Sequence, residues 1–472
     1  LVISQIIGYA LSKYIGIKVC SEIKREKRAL MLVTMIFIAL VSLVFYGLVN
    51  DQWKFVAIFF SGLPLGMVWG LVVWYLEGRT VSEILLAGLS CSFILASGVV
   101  KDVGRYLMAQ DYSLMGWEFQ LSEGWMPAAT GAVFLIPFLL SVWLLNQIPR
   151  PSQEDELART HREPMDGTQR LAFVKSFFWG LLMLSVAYFF LTAYRDYRDN
   201  YQVELFNALD YPYDGGEIQV DGSDGSEQTF YYDKSTEIQA ASGSAEISSI
   251  VGKSAVIQWS SRSDRKYAVI IKVGDDSQPS ASEFIGTVTE ADANETIISK
   301  AERIVAFGVL VPLGLLFLIR NNRYGLIGAY VIMTTGMVLL GASTWALQAG
   351  KIDGFWWMVL AGMGAYLTYV PFGSVLFDRL IATTRFIGTA VFAIYVMDAL
   401  GYTGSVAAQI YVDFIYDEKS VVKALDADAI HLDFMINFSY MMAITGAIMM
   451  VGSLIYFLAK SRQAADVDQA TG

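Results

Sequence analysis

The stretch "NQIPRPSQEDELARTHREPMDGTQR", residues 146–170, is a charged, proline-bearing break in an oily chain. The chain has 472 residues, 55% hydrophobic and only 17% charged, where a soluble protein carries about 25% charged residues. An apolar run of about 18 or more residues reads as a membrane-spanning helix. Eleven such runs are predicted, at 1–20, 30–49, 53–76, 81–107, 125–146, 172–194, 301–320, 324–348, 354–377, 386–411 and 432–459. Five precede the break and six follow it. Pro64, Pro137, Pro312 and Pro371 lie inside runs; neighbouring helices and ordered water satisfy the backbone groups that such prolines free.

The basic residues give the orientation, because Lys and Arg collect in short cytoplasmic loops. Lys24, Arg25, Lys27 and Arg28 follow the first run. Arg79, the arginines of 146–170, Arg320, Arg323, Arg379, Arg385, Lys460 and Arg462 fall on the same side in an unbroken alternation, fifteen in all. The opposite short loops hold four: Lys54, Lys351, Lys419 and Lys423. The break and the C-terminus are therefore expected in the cytoplasm and Leu1 outside. That in turn predicts one further span ahead of Leu1, making twelve, with residues 147–171 linking two six-helix bundles. The expected units are 1–146, a first bundle lacking its first span; 172–200, the first span of the second bundle; 301–460, its remainder; and a tail at 461–472.

Residues 201–300 hold seventeen acidic and seven basic residues, a net of −10 within a chain of −11. "SAVIQWSS" and "KYAVIIKVG", joined by "RSDR", read as paired strands, and "QTFYYD" and "EFIGTVTE" as further ones. A small, acidic, β-rich extracytoplasmic insertion is expected. Its field attracts cations and says little about cargo.

Small residues spaced by four let helix backbones approach in lipid. Gly62, Gly66 and Gly70 are predicted as a packing seam, with Gly88, Ser92 and Ala96 as a second. "GYALSKYIGIKVCSEIKREKR" resembles the cytoplasmic-loop signature of the major facilitator superfamily, through Gly8, Gly16, Lys18 and the basic cluster. Ser12 stands where that signature has Asp. "GLPLGMVWGLVVWYLEGR", "TAYRDYRDN", "YVPFGSVLFDRLIA" and "GYTGSV" are similar to a facilitator-like bacterial family, domain of unknown function 5690, over most of 1–200 and 301–460. The resemblance implies an all-α polytopic protein of two pseudo-symmetric bundles in a bacterial inner membrane. It also implies a midplane site lined by the first, fourth, seventh and tenth of twelve spans.

The charges inside the spans are the candidate site. Asp398 lies in "VFAIYVMDALGY", about twelve residues from either span edge, where an ionised Asp costs about 2.5–3.5 kcal/mol on insertion scales. It has to face the bundle interior and be protonated, paired or hydrated, either coupling transport to protons or bonding a neighbouring helix near Asn437 or Tyr440. Lys101, Asp102 and Arg105, with Arg195, Asp196, Arg198 and Asp199, are expected at an outer gate or substrate vestibule. Lys13, Glu77, Arg79, Glu83, Asp378 and Arg379 are expected at an inner gate.

Cys20, Cys91, His161 and His431 show no metal-ligand spacing, and no phosphate-binding loop or dinucleotide fingerprint occurs. No catalytic residue, metal, cofactor or nucleic-acid partner is predicted. The chain reads as a secondary transporter of a small polar or anionic organic solute, possible partners being that solute and the bilayer. The alternative is a non-transporting membrane receptor or assembly factor whose 201–300 insertion binds an extracytoplasmic partner.

Overall fold

The computed structural model describes residues 1–23, 25–76, 79, 81–114, 117–149, 152, 167–211, 216–222, 225–232, 236–240, 243–244, 247–262, 265–273, 283–291, 297–384, 386, 390–416 and 427–471. Each predicted run falls largely on helix. The first group is α1 (Val2–Glu22), α2 (Arg25–Leu48), α3 (Lys54–Leu76), α4 (Ser82–Ala109) and α5 (Met126–Gln147). The second is α6 (Gly167–Asn200), α7 (Gln202–Ala208), α8 (Ile297–Leu316), α9 (Asn322–Gln348), α10 (Gly354–Ser374), α11 (Leu376–Thr384), α12 (Ala390–Tyr411) and α13 (Ala427–Thr471). Most of 147–171 lies outside the described residues.

Among the described residues, eight helices are long and apolar enough to cross a membrane, and α10 with α11, bent by 50°, makes a ninth. The predicted eleven exceed this by α1, whose apolar part is only Val2–Ile17, and α8, which carries Lys300, Glu302 and Arg303 in its first two turns. The expected single span 354–377 is also corrected to a broken one. Pro371 has no N–H to donate, and the chain turns just after it, at Val375.

The outer faces are what a hydrocarbon solvent requires. Phe37 on α2, Ile136 and Trp143 on α5, Val331 on α9, and Ile444, Ile448 and Ile455 on α13 are all exposed. Contiguous apolar surface of this kind marks a membrane face rather than a soluble one.

Small residues draw helices together, both within the first group and between the groups. A methyl group on Gly62 would meet the Gln5 carbonyl and one on Gly66 the Tyr9 carbonyl, at 2.5 and 2.7 Å, so α1 and α3 touch backbone to backbone. On Gly70 it would fall on the Tyr395 hydroxyl of α12. The second expected seam is corrected: Gly88 faces open space, and it is Gly98 on α4 that meets Ser299 of α8.

A short hairpin, β1 (Asp111–Leu114) with β2 (Trp117–Gln120), follows α4. The insertion forms a seven-stranded sheet from β3 (Gly216–Gly222), β4 (Glu227–Tyr232), β5 (Glu237–Ala240), β6 (Gly243–Ser244), β7 (Ser254–Arg262), β8 (Arg265–Val273) and β9 (Glu283–Ala291). The strand order is β4-β3-β9-β7-β8-β5-β6, and β8 returns to β4 through Tyr231 and Tyr267, closing a small barrel. Alternating apolar residues fill it: Ile218, Val220, Phe230, Ile257, Ile271 and Val288. The expected hairpin is β7–β8, and the two further expected strands are β4 and β9. Burial, then Glu217, pushes the Tyr231 phenol up to about 12, so it stays neutral at physiological pH.

The barrel is seated on the helices. Tyr267 donates its hydroxyl proton to the Asp210 carbonyl, and Asp210 has a φ of 60°. That left-handed backbone is one Asp tolerates. Tyr211 packs on Phe355 at the start of α10, and Leu209 on Gly354.

Candidate functional site

The polar side chains between the two helical groups form three tiers. Glu83 and Lys101 stand eighteen residues apart on α4, about 27 Å along one helix. That nearly matches a hydrocarbon layer of about 30 Å.

In the middle tier Lys13 of α1 meets Asp398 of α12, with Nζ 2.9 Å from Oδ2. Tyr188 of α6 donates to Asp398 Oδ1 at 2.7 Å. Lys13 is 1% and Asp398 5% exposed. The ammonium lies 5.1 Å from the Tyr9 ring centre, 5.4 Å from Tyr402 and 5.9 Å from Tyr395. Tyr188 stacks on Tyr369 of α10 and packs on Phe372. Lys13 was expected at the inner gate, and this is corrected. It lies halfway along α1, and a buried ammonium settles beside the carboxylate that neutralises it. The companion of Asp398 is likewise Lys13 with Tyr188. Asn437 bonds the Asp433 carbonyl, and Tyr440 bonds Gln348.

At the insertion end, α6 continues upward from Tyr188. Arg195 lies over the Tyr369 ring at 4.3 Å, donates to the Tyr402 hydroxyl at 3.2 Å and pairs with Asp196 and, at 3.7 Å, with Asp199. Asp196 also accepts from Ser405, and Asp199 from Tyr366, each at 2.6 Å. Arg198, with no exposed surface, reaches Glu302 at 2.8 Å, Asp199 at 3.1 Å and the Met358 carbonyl at 3.1 Å. Gly362 leaves room for its guanidinium, since a methyl there would lie 2.5 Å from Nη2. Gln202 of α7 joins Glu302 at 2.7 Å. Lys101 crosses from the first group to Gln202 and to the Asp199 carbonyl, while Asp102 accepts from Ser299. Arg105 is half-buried one turn further along α4.

At the opposite end, the break after Pro371 turns Arg379 of α11 onto Glu83 of α4. Arg379 Nη2 donates to Glu83 Oε2 at 3.0 Å, and Nε lies 2.8 Å from Oε1 as an ion pair, a charge-assisted contact. Arg379 also holds Asn322 at 2.9 Å and the Ile319 carbonyl at 2.9 Å. Arg79 is turned away to the Pro149 carbonyl, and Asp378 is half-buried beside Arg379. Glu77 lies outside the described residues.

The structure thus assembles the predicted Lys101, Asp102, Arg195, Asp196, Arg198 and Asp199 at one end, and Glu83 with Arg379 at the other. It adds Gln202, Glu302, Ser299 and six tyrosines: Tyr9, Tyr188, Tyr366, Tyr369, Tyr395 and Tyr402. Glu302 was legible as an acid at the head of an apolar run. The tyrosines were not, since an aromatic residue in a span is unremarkable until its hydroxyl finds a charge. Among the described residues, no cluster of three or more His, Cys, Asp or Glu side chains is arranged to hold a metal.

No curated protein matches this sequence. Among solved structures, a D-xylose–proton symporter superposes with a TM-score of 0.50 at 15% identity, covering 95% of this chain and 85% of its own. FucP, a major facilitator superfamily transporter in the outward conformation, gives 0.45 at 10%, covering 97% and 89%. The human organic anion transporter MFSD10 gives 0.45 at 11%, covering 98% and 83%. A family profile matches residues 1–218 and 267–460, so the part outside it is narrower than the expected 201–300: most of β8, all of β9 and the start of β3 lie within the match. With that match over most of its length, the chain belongs to the family of unknown function DUF5690, and its fold is that of the major facilitator superfamily.

Proposed function

We propose that this chain is a secondary transporter, carrying a small polar or anionic organic solute by alternating access, with Asp398 as a proton-coupling carboxylate. The observation that carries the reading is the Lys13–Asp398 pair, buried at mid-depth and joining one helical group to the other. Two rigid groups rocking about a central site need separable contacts at each end, and polar contacts between groups are found at both. Glu83–Arg379 would latch one end; Lys101 with Asp199 and Gln202, and Asp102 with Ser299, would latch the other. The fold shared with a proton symporter is in keeping with this.

In this reading the insertion end faces away from the cytoplasm, while residues 147–171 and the C-terminus face it, in a bacterial inner membrane. Eleven spans are present. The units are those expected above, with 1–146 and 301–460 the bulk of the two bundles. Lys13 of α1 and Glu302 of α8 do not bar these helices from crossing, because their partners, Asp398 and Arg198, lie on α12 and α6 and not in lipid.

Spin labels test the reading without knowledge of the solute. One pair replaces the exposed Tyr106 on α4 and Trp356 on α10 at the insertion end. The other replaces the exposed Ile84 on α4 and Tyr324 on α9 at the linker end. Both native cysteines are buried. Two populations are expected, one distance lengthening as the other shortens, with Glu83→Gln favouring the state open at the linker end. A single unchanged distance at both ends, in wild type and in Glu83→Gln, overturns alternating access.

A further inference from the structure

Lys13 differs from the other buried cations of the site. Arg198 is held by Glu302, Asp199 and a main-chain carbonyl. Arg195 is held by Asp196, Asp199 and Tyr402, and Arg379 by Glu83, Asn322 and a carbonyl. Lys101 has Gln202 and a carbonyl. Among the described residues, Lys13 makes one hydrogen bond, to Asp398. An ammonium has three donors; the rings of Tyr9, Tyr395 and Tyr402 stand 5.1 to 5.9 Å from it. Ring faces stabilise a cation and accept no full hydrogen bond.

The other groups facing Asp398 are Tyr188 from α6, Tyr369 from α10, Tyr9 from α1, and Tyr395 and Tyr402 on its own helix, with Arg195 two turns above Tyr188. Among these only Lys13 is a charge in contact with Asp398. Neither member of the pair can leave the other unless a substitute charge, or a proton, arrives.

We propose that the solute is a monocarboxylate that takes the place of Asp398 on Lys13, Asp398 leaving the pair as the neutral acid. This rests on the transporter reading and names its cargo. The solute carboxylate accepts hydrogen bonds from Lys13, and the Lys13–Asp398 ion pair breaks. Asp398 takes one proton from water on the open side, and Tyr188 donates to the carbonyl oxygen of the resulting acid. Release on the other side reverses each step: the solute leaves, the proton returns to water, and the ion pair re-forms. One proton moves with one monoanion and no net charge crosses. A neutral solute gives Lys13 no counter-charge, so the pair stays closed. A cation competes for Asp398 and strands Lys13.

The test uses proteoliposomes holding a pH-sensitive dye. External D-lactate, benzoate and gluconate are each compared with a neutral partner, 1,2-propanediol, benzyl alcohol and D-glucose, and with protein-free vesicles. Acidification of the interior beyond protein-free vesicles is expected with at least one carboxylate and with no neutral partner. It should be unchanged when potassium and valinomycin clamp the membrane potential, and reduced at least about tenfold in Asp398→Asn, the order expected when one member of a buried charge pair is removed. Acidification driven by a neutral partner, dependence on potential, or silence with all three carboxylates overturns the proposal. In the first two cases the transporter reading stands; in the third it is judged by the spin-label distances alone. A second measurement guards against misfolding. Formate should raise the unfolding midpoint of Asp398→Ala and not that of the Lys13→Gln/Asp398→Ala double variant, and equal shifts in both overturn the anion site on Lys13.

Discussion

Asp398 is where a single residue carries the most. Its charge is tolerable in a span because Lys13 cancels it at 2.9 Å and Tyr188 takes its second oxygen. Removing one partner leaves a buried charge alone, which costs about 3–5 kcal/mol, whereas removing both can be nearly neutral. Lys13→Met and Asp398→Ala should therefore each lower the unfolding midpoint in detergent, and the double variant should recover much of the loss. Additive losses would mean the two charges do not see each other. Gly70 offers an independent check. Its Cβ would fall on the Tyr395 hydroxyl, so Gly70→Ala should push that ring off Lys13 and destabilise by about 1–3 kcal/mol, the usual cost of overpacking. A variant as stable as wild type by thermal unfolding would show that Tyr395 has room to move.

At the scale of elements, the broken α10–α11 pair is the part most open to test. Pro371 and the 50° bend aim Arg379 across the interface at Glu83. Arg379→Lys keeps the charge and loses the planar guanidinium that holds Glu83, Asn322 and the Ile319 carbonyl together. It should loosen the linker end, read as faster modification of a cysteine at position 84 by a water-soluble maleimide. Unchanged reactivity would deny Arg379 a latching role. The location of this latch was half legible. Glu83 and Arg379 sit on helices beside loops that the positive-inside pattern marks, but their pairing depends on a helix break whose angle no pattern of residues states. Lys13 was misplaced for a related reason. Its position in α1 was readable, yet depth depends on how far the helix extends past the membrane edge, and that is set by packing against α3 and α12.

For the whole molecule, the insertion is a folded barrel seated on the turn after α7 and the start of α10, next to the residues proposed to latch the insertion end. Deleting residues 213–290 separates the two functional readings. A transporter should retain gradient-driven uptake, with a changed balance between its two open states, while a receptor should lose its folded outer domain. Loss of uptake in a deletion variant that still inserts and purifies as a monodisperse protein would favour the receptor. Labelling from either side provides a further check on topology: cysteines in 147–171 should react only from the cytoplasmic face and those in 201–300 only from the other. Labelling of both segments from one face would undo the two-bundle arrangement.

The order of oily runs, the central charged break, the acidic β-rich insertion and the presence of an acid deep in a span all followed from the sequence. Each depends on local hydrophobicity, period or charge, quantities summed along neighbouring residues. What only the tertiary structure decided is who meets whom: Lys13 with Asp398 across 385 positions, Arg198 with Glu302 across 104, and six tyrosines turned towards the same charges. A hydropathy pattern treats a buried charge as though lipid surrounded it. That is why α1 and α8 look least like spans by composition, although Lys13 and Glu302 are paired with Asp398 and Arg198 on helices distant in sequence.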